Sequence, residues 1–280
     1  MKKLMNTSKV ITIILLQAVL FFSAANAQDT GTTPRDRAYD SERTGQRQVI
    51  AYEHLREADV FIEKRIWRVL DINEKMNLTF KYPKRPFVQI ILDAAKSGDL
   101  PSYNPIDDEF TVIMTPEEVS EIGAGVDTQL VIDPITLEER YEVVVQELDI
   151  NKITKIRLKE DWVFDKQQST LFCRIIGLCP IESRYDESGN FIGDFPMFWV
   201  YYPHLRNILI NEEVFNPFND SNRLSWDDIF EMRLFSSYII KESNVYDRRI
   251  QDYATGIDAL LEHDRIRQDI FEQEHDLWSF

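Results

Sequence analysis

The sequence has few of the residues from which most enzymes and metal sites are built. Its 280 residues include only 4 histidines, 2 cysteines and 9 glycines. His54, His204, His263 and His275 form no H-E-x-x-H pair and no other metal-ligand spacing. There is also no G-x-S-x-G nucleophile motif and no phosphate loop of the G-x-G-x-x-G type. The sequence therefore contains no common catalytic motif, and it predicts neither a metal site nor a cofactor site.

Basic residues are also few relative to acidic ones. The chain has 32 Lys and Arg against 48 Asp and Glu, a formal net charge of −16 at pH 7. Nucleic acid and anionic membrane surfaces bind proteins with an excess of basic residues, so neither is an expected partner of this acidic chain. The acidity fits either solubility or a basic partner, and composition does not choose between them.

Only one long apolar run is present, and it lies near the N-terminus. Lys2, Lys3 and Lys9 form a basic start, the apolar run begins at Val10, and Ala25-Asn26-Ala27 follows it. This arrangement is typical of a secretory signal and too short to span a bilayer comfortably. We expect residues 1–27 to be removed and the mature chain to be exported without membrane insertion. Their removal takes away three lysines and no acid, which leaves 29 basic and 48 acidic residues, a net charge of −19.

The two cysteines, Cys173 and Cys179, leave a disulfide open as an alternative in an oxidising compartment. On one straight strand they would lie roughly 20 Å apart on the same face, which excludes a bond. A bend at Gly177 would bring them together. Two thiolates without a nearby histidine are too few for a zinc site.

Hydrophobic spacing predicts an α+β fold with an N-terminal helical arm, a mixed central body with antiparallel strands, and C-terminal amphipathic helices. After the signal at 1–27, residues 28–50 are almost free of apolar side chains and predict a flexible arm. Residues 51–75 predict a helical arm, because apolar residues recur at three- and four-residue spacing. Residues 76–280 predict the α+β body, which ends in a long helix. The apolar residues of the arm are Leu55, Ala58, Ile62, Ile66 and Val69.

Within the body, local signals predict individual elements. Alternation predicts strands over 78–82 and 110–114, and Pro86 and Gly98 bound a short helix. Thr115 with Glu118 forms a capping box, and β-branched and aromatic runs predict strands between residues 141 and 202. Ser225 with Asp228 predicts a second capped helix that continues through FSSYIIKESNVYDRRIQDY, and a long helix is predicted from Asp247.

A catalytic serine is the alternative that the sequence tests most directly. Ser237 and Lys241 are spaced S-x-x-x-K, close to the S-x-x-K pair of penicillin-recognising enzymes. The predicted helix places Ser237 far from the N-terminal end, where a developing negative charge is favoured. The S-D-N and K-T-G companions are missing. The position in the predicted helix and the missing companion motifs therefore argue against catalysis at this serine.

Arginines beside aromatic residues point to protein contacts instead. Arg, Trp and Tyr are enriched in interface hot spots. The alternative is intramolecular salt bridges and core packing. The candidate partner interface consists of Trp67, Arg68, Tyr246, Asp247, Arg248 and Arg249.

Four long segments carry a family resemblance. RIWRVLDINEKMN, FWVYYPHLRNIL, SWDDIFEMRLFSSYIIKESNVYDRRIQDY and EHDLW together resemble the GldN family of gliding-motility proteins, called PorN in relatives that do not glide. The resemblance runs from about Arg65 to Trp278, and the 28–50 arm adds nothing to it.

The resemblance implies a non-catalytic component of the type IX secretion system of Bacteroidetes. It implies a periplasmic protein that forms a large ring with an outer-membrane lipoprotein of the GldK/PorK kind. It further implies coupling to inner-membrane motor proteins of the GldL and GldM kind, through the periplasmic part of the GldM/PorM-like protein. Such a ring would give residues 28–75 a use as a head-to-tail contact. A periplasmic hydrolase and a monomeric periplasmic binding module are the alternatives.

Overall fold

The computed structural model of the chain describes residues 47–122, 125–132, 139–146, 148–186, 188–217, 219 and 221–278. The predicted signal segment 1–27 and most of the predicted arm at 28–50 lie outside the described residues. The strands, in chain order, are β1 (Val60–Asp71), β2 (Ser102–Tyr103), β3 (Ile113–Met114), β4 (Gly125–Ile132), β5 (Glu139–Gln146), β6 (Ile153–Asp165), β7 (Thr170–Tyr185), β8 (Phe191–Pro196), β9 (Trp199–Tyr201), β10 (Glu213–Val214), β11 (Leu224–Ser225) and β12 (Tyr238–Glu242).

The helices lie between and after these strands in the sequence. The α-helices are α1 (Phe87–Ser97), α2 (Pro116–Glu121), α3 (Tyr202–Leu209), α4 (Trp226–Glu231) and α5 (Ile257–Trp278). Short 3₁₀ helices cover Glu57–Asp59, Lys75–Lys81, Ile150–Lys152 and Ile250–Asp252. Helices and an antiparallel sheet share the chain, so the α+β prediction is confirmed.

One eight-stranded antiparallel sheet organises the described residues. Its strand order is β12-β1-β6-β7-β9-β2-β3, and β8 also pairs with β7. The long strands β1, β6 and β7 form its centre, and β4–β5 and β10–β11 are separate two-stranded pairs. The sheet places the segment after β12 next to the beginning of α5.

The predicted helical arm at 51–75 is wrong, because residues 60–71 form β1. The neighbours β12 and β6 pair with its two edges, and in its second half neighbouring residues are buried on both of its faces. A strand with two covered faces has apolar residues at neighbouring positions rather than in strict alternation. The spacing of Ile62, Ile66 and Val69 therefore resembled a helical stripe. The β-branched and aromatic composition of VFIEKRIWRVLD was the better signal.

Two other local predictions are corrected. Residues 78–82, predicted as a strand, lie largely in the 3₁₀ helix Lys75–Lys81, because their alternation reflects one buried ring, Phe80, rather than a sheet. Of residues 110–114 only Ile113–Met114 is a strand, and Phe110 has a left-handed backbone with φ of 60°.

Both predicted capping boxes are confirmed, but the helix that begins after Ser225 is much shorter than predicted. It ends at Glu231, and Arg233 has a left-handed backbone with φ of 53°. The amide of Leu234 donates to the carbonyl of Ile229, which closes the helix end. The chain then enters β12, and the last long helix begins at Ile257 instead of Asp247.

The main core lies between one face of the sheet and helices α1, α3 and α4. Its centre is an aromatic cluster in which the Phe87 and Trp226 ring centroids are 4.7 Å apart, and Phe80 contacts both rings. Beneath α5 lies a smaller cluster built around Ile66 and Ile266. On the opposite face of the sheet a third cluster contains Trp67, Cys179 and Trp199.

Candidate partner-binding surfaces

The predicted interface residues divide into an internal pair and a surface loop. Trp67 is only 8% exposed, its indole N–H donates to Asp108 at 2.5 Å, and the Lys241 ammonium lies 4.3 Å from its ring centroid. Arg68 donates to the hydroxyl and carbonyl oxygens of Ser237 at 2.9 and 3.0 Å. Trp67 and Arg68 therefore hold β1 to its neighbours and do not form a surface. Adjacent strand residues point to opposite faces, and here both faces are covered.

The loop after β12 presents the other four candidates to solvent. Asn244 organises it, since its amide oxygen accepts from the backbone of Tyr246 and Arg248 at 3.1 and 3.0 Å. Asp247 has φ of 51° and pairs with Lys241 at 2.5 Å. Tyr246 is 73% exposed, and the Arg248 guanidinium lies 4.4 Å from the Tyr246 ring centroid. The loop is thus a shaped surface with an exposed aromatic–arginine pair.

Ser237 is engaged in a structural contact. It precedes β12 rather than lying inside a helix, and its hydroxyl accepts from Arg68. The ammonium of Lys241 lies against Trp67 and Asp247. Within the described part of the chain, no three His, Cys, Asp or Glu side chains converge to hold a metal ion.

Cys173 and Cys179 are free thiols on opposite faces of β7, so the disulfide alternative is corrected. A bulge shifts the register of β7 between Gly177 and Ile175, which turns the two cysteines to different sides. Cys173 lies beside the buried Glu160, and Cys179 packs in the Trp67 cluster. Gly177 does not bend the strand back. A side chain there would lie 2.5 Å from the Phe110 ring.

Both thiols should be unreactive in the folded chain. Burial raises the pKa of Cys179 to about 12, and burial followed by the charge of Glu160 raises the pKa of Cys173. We expect Ellman's reagent at pH 8 to detect almost no thiol in the native protein. After unfolding without reductant it should detect both. An unfolded protein with no free thiol, or a fast native reaction, would contradict this account.

The N-terminal described segment is fixed to the body by a buried arginine. Arg206, only 4% exposed, donates to both oxygens of Asp227 at 2.8 and 3.1 Å and to the carbonyl of Ile50 at 2.9 Å. The ring of Tyr52 lies 4.4 Å from the guanidinium, and its hydroxyl donates to Glu231 at 2.5 Å. Residues 50–52 are therefore bound to α3 and α4.

Helix α5 carries three exposed apolar residues on the side that faces away from the sheet, where the polar residues Asp264 and Gln268 also lie. Ile266 and Ile270 face the sheet and are buried, whereas Ile257, Leu261 and Phe271 are 76, 62 and 66% exposed. At about 100° per residue, the exposed three lie within about 80° of one another and far from the buried pair. A helix that packs on one side only normally carries polar residues on the other. The sequence prediction of an amphipathic C-terminal helix did not distinguish this outer side from the buried one.

A second apolar surface lies elsewhere on the chain, as a groove of about 940 Å³. It runs between the 3₁₀ helix Lys75–Lys81 and the β10–β11 region. Met76, Leu78 and Phe215 are partly exposed along it, and the Tyr82 and Phe215 rings stack at 4.7 Å. Exposed apolar surfaces of this kind usually mark protein contacts. The groove and the outer side of α5 share no lining residue.

Comparison with known proteins adds one match. The family model described as "Gliding motility associated protein GldN" matches residues 55–279, which is most of the chain. No curated protein matches the sequence. Within the described residues, no helix has the length and apolar character needed to cross a bilayer.

Proposed function

The chain belongs to the GldN family, and on this basis we propose that it is a non-catalytic structural component of the type IX secretion and gliding machinery. Membership associates the chain with gliding motility and type IX secretion. The family match over residues 55–279 is the observation that carries the proposal. We place the mature protein in the periplasm, attached to the outer membrane through a GldK/PorK-like lipoprotein. A GldM/PorM-like periplasmic segment links it to the inner-membrane motor.

Two separate apolar surfaces support self-association in a ring. A closed ring needs a heterologous contact, in which one surface of a protomer meets a different surface of the next. The outer side of α5 and the 940 Å³ groove are two such surfaces. We assign a second copy of the chain as the occupant: α5 of one protomer lies in the groove of its neighbour. Three exposed apolar side chains on one helical side match the helix-in-groove mode of recognition.

The predicted arm at 28–50 retains its proposed role, since Arg47 and Ile50 lie on the body. Arg47 donates to Asp228 at 3.0 Å and to the carbonyl of Arg223 at 3.1 Å. The part of the earlier 28–75 contact that falls in β1 is withdrawn, because β1 is an internal strand. Arg47 thus lies beside α4, and its partners Arg223 and Asp228 are the sequence neighbours of Leu224 and Ile229, which line the apolar groove.

The loop after β12 is our candidate for contact with the lipoprotein or the motor segment. Its residues are Tyr246, Asp247, Arg248 and Arg249. Exposed Tyr and Arg side chains are frequent interface anchors, and the loop backbone is already ordered by Asn244.

The experiment is co-purification from envelope extracts with a tagged chain. Wild type should retain an outer-membrane lipoprotein. Tyr246→Ala with Arg248→Glu should reduce that retention about tenfold or more, because two anchors are removed. Its melting temperature should stay unchanged, since both side chains lie in solvent. The matched control is Arg265→Glu on the exposed part of α5. If the loop variant retained the lipoprotein as the wild type does but melted at a lower temperature, the loop would have a structural role only.

A further inference from the structure

A basic groove of about 420 Å³ lies beside the loop, between β8 and the beginning of α5. Strands β1, β6, β7 and β12 form its floor. Its charged lining residues are Lys155, Arg157, Asp194 and Arg249, which give a net charge of +2 with His263 neutral. The whole chain has a formal net charge of −16, so a local excess of positive charge is not expected from its composition.

Arg157 and Arg249 have no carboxylate partner among the described residues. Two other arginines of the sheet do have carboxylate partners: Arg65 binds Asp161 at 2.7 Å, and Arg184 binds Glu182 at 2.9 Å. Lys155 pairs with Asp194 at 2.7 Å, which leaves the two guanidinium groups as the uncompensated charges of the groove. The Nε atom of Arg157 is buried and makes no hydrogen bond with the described residues. Buried polar atoms are normally satisfied.

The two guanidinium groups also repel each other. Burial lowers the pKa of Arg157, and the positive charge of Arg249 lowers it further. The N-terminal end of α5, at Gly256 and Ala259, faces the same groove and adds the positive end of a helix dipole. An anion between the two arginines would relieve this repulsion and satisfy both groups. Carboxylates suit guanidinium groups because they accept two parallel hydrogen bonds.

Apolar side chains line the rest of the groove. Val69, Ile181, Phe191, Ile250 and Leu260 are among them. A free anion would leave these surfaces in water, whereas an acidic peptide with apolar side chains would cover them. A long polyanion is disfavoured because the surrounding chain is strongly negative.

We propose that this groove binds an acidic segment of a partner polypeptide, with one carboxylate held between Arg157 and Arg249 and apolar side chains on the groove walls. The inference rests on the proposed function, because it names the chemistry of one partner segment of the assembly. Arg249, a candidate from the sequence, would then belong to this groove as well as to the exposed loop.

The test uses the mature full-length protein and a dye-labelled, end-blocked octapeptide of alternating Glu and Leu. Fluorescence anisotropy measures its binding at low salt. Arg157→Gln with Arg249→Gln should weaken binding about tenfold or more, as expected for loss of charge-assisted hydrogen bonds. The matched control, Arg265→Gln with Arg267→Gln, removes the same charge outside the groove and should change binding less than about twofold. A second octapeptide, in which glutamine replaces every glutamate, should bind weakly to the wild type and to both variants.

Three outcomes would overturn the inference: no binding by wild type, equal loss in both variants, or displacement by an equal concentration of inorganic phosphate, which would identify a small-anion site. The groove variant should keep the wild-type melting temperature, because neither arginine has an ion-pair partner to lose. Peptide binding without assembly in envelopes would contradict the proposed function only. Assembly without peptide binding would contradict this inference only.

Discussion

Replacing Arg206 with methionine is expected to destabilise the protein by about 3–5 kcal/mol, because it leaves the buried carboxylate of Asp227 without its partner. Asp227 is 6% exposed and accepts two hydrogen bonds from the guanidinium. The change also removes the donor to Ile50 and the cation beneath Tyr52. For a chain of this length we expect the melting temperature to fall by roughly 6–20 °C. Calorimetry and circular dichroism measure the change.

The matched control for this prediction is Arg85→Met. Arg85 makes a similar two-bond contact with Glu212, at 2.7 and 3.1 Å, but its side chain is 45% exposed. An exposed pair contributes about 0–1 kcal/mol. Arg206→Met with Asp227→Leu should recover part of the loss, since no buried charge then remains unpaired. Equal effects of Arg206→Met and Arg85→Met would show that the buried network does not hold the N-terminal segment.

Glutamates on the outer side of α5 are expected to abolish self-association without unfolding the chain. Leu261→Glu with Phe271→Glu places two charges on the contact that we assign to the neighbouring groove. Loss of two apolar anchors should weaken the contact about 30-fold or more. Both side chains are mostly exposed, so the melting temperature should change little. Sedimentation velocity measures the association, and the control Gln167→Glu with Asn207→Asp adds the same charge at exposed positions outside α5.

A mixing experiment separates the head-to-tail contact from a symmetric one. Leu78→Glu in the groove should also abolish self-association. A mixture of this variant with the α5 variant retains one intact α5 and one intact groove, so it should form a dimer that grows no further. A symmetric α5–α5 contact would instead leave the Leu78→Glu protein able to dimerise alone. The assigned surfaces would be contradicted if the mixture formed no dimer, or if each variant alone assembled as the wild type does.

The sequence predicted local elements best where one signal dominated. The capping residues Thr115 and Ser225 and the left-handed Gly98 are side-chain and backbone preferences that act within one turn, so they could be read directly. The long strands β6 and β7 were visible from their β-branched and aromatic content. The end of α4 was not visible, because it depends on a left-handed arginine, Arg233, rather than on glycine.

The position of a strand in the sheet could not be predicted from local spacing. Residues 60–71 form a central strand only because β6 and β12, from distant parts of the sequence, cover both edges. Trp67 and Arg68 looked like surface anchors because Trp–Arg neighbours are common in interfaces. Their partners, Asp108 and Ser237, are far apart in sequence, and no local pattern connects them.

The candidate surfaces also differ in how far local sequence could predict them. The exposed loop at Tyr246–Arg249 was found from residue type alone. The outer side of α5 was recoverable from a helical wheel, which separates Ile257 from Ile270 by about 140°. The basic groove was not recoverable, since Arg157 and Arg249 meet only through the sheet. One indication of it was present in the sequence, the Asp247-Arg248-Arg249 triplet, which places two arginines together in a chain of net negative charge.

The size of the native assembly tests the proposed structural role. The chain, tagged in its own host, is purified from mild-detergent envelope extracts, and its particles are measured by light scattering and negative-stain electron microscopy. We expect ring-shaped particles many times the mass of one chain, which contain an outer-membrane lipoprotein and dissociate when Leu261 and Phe271 are replaced by glutamate. A monomer of wild type under conditions that preserve other envelope complexes would contradict the structural role.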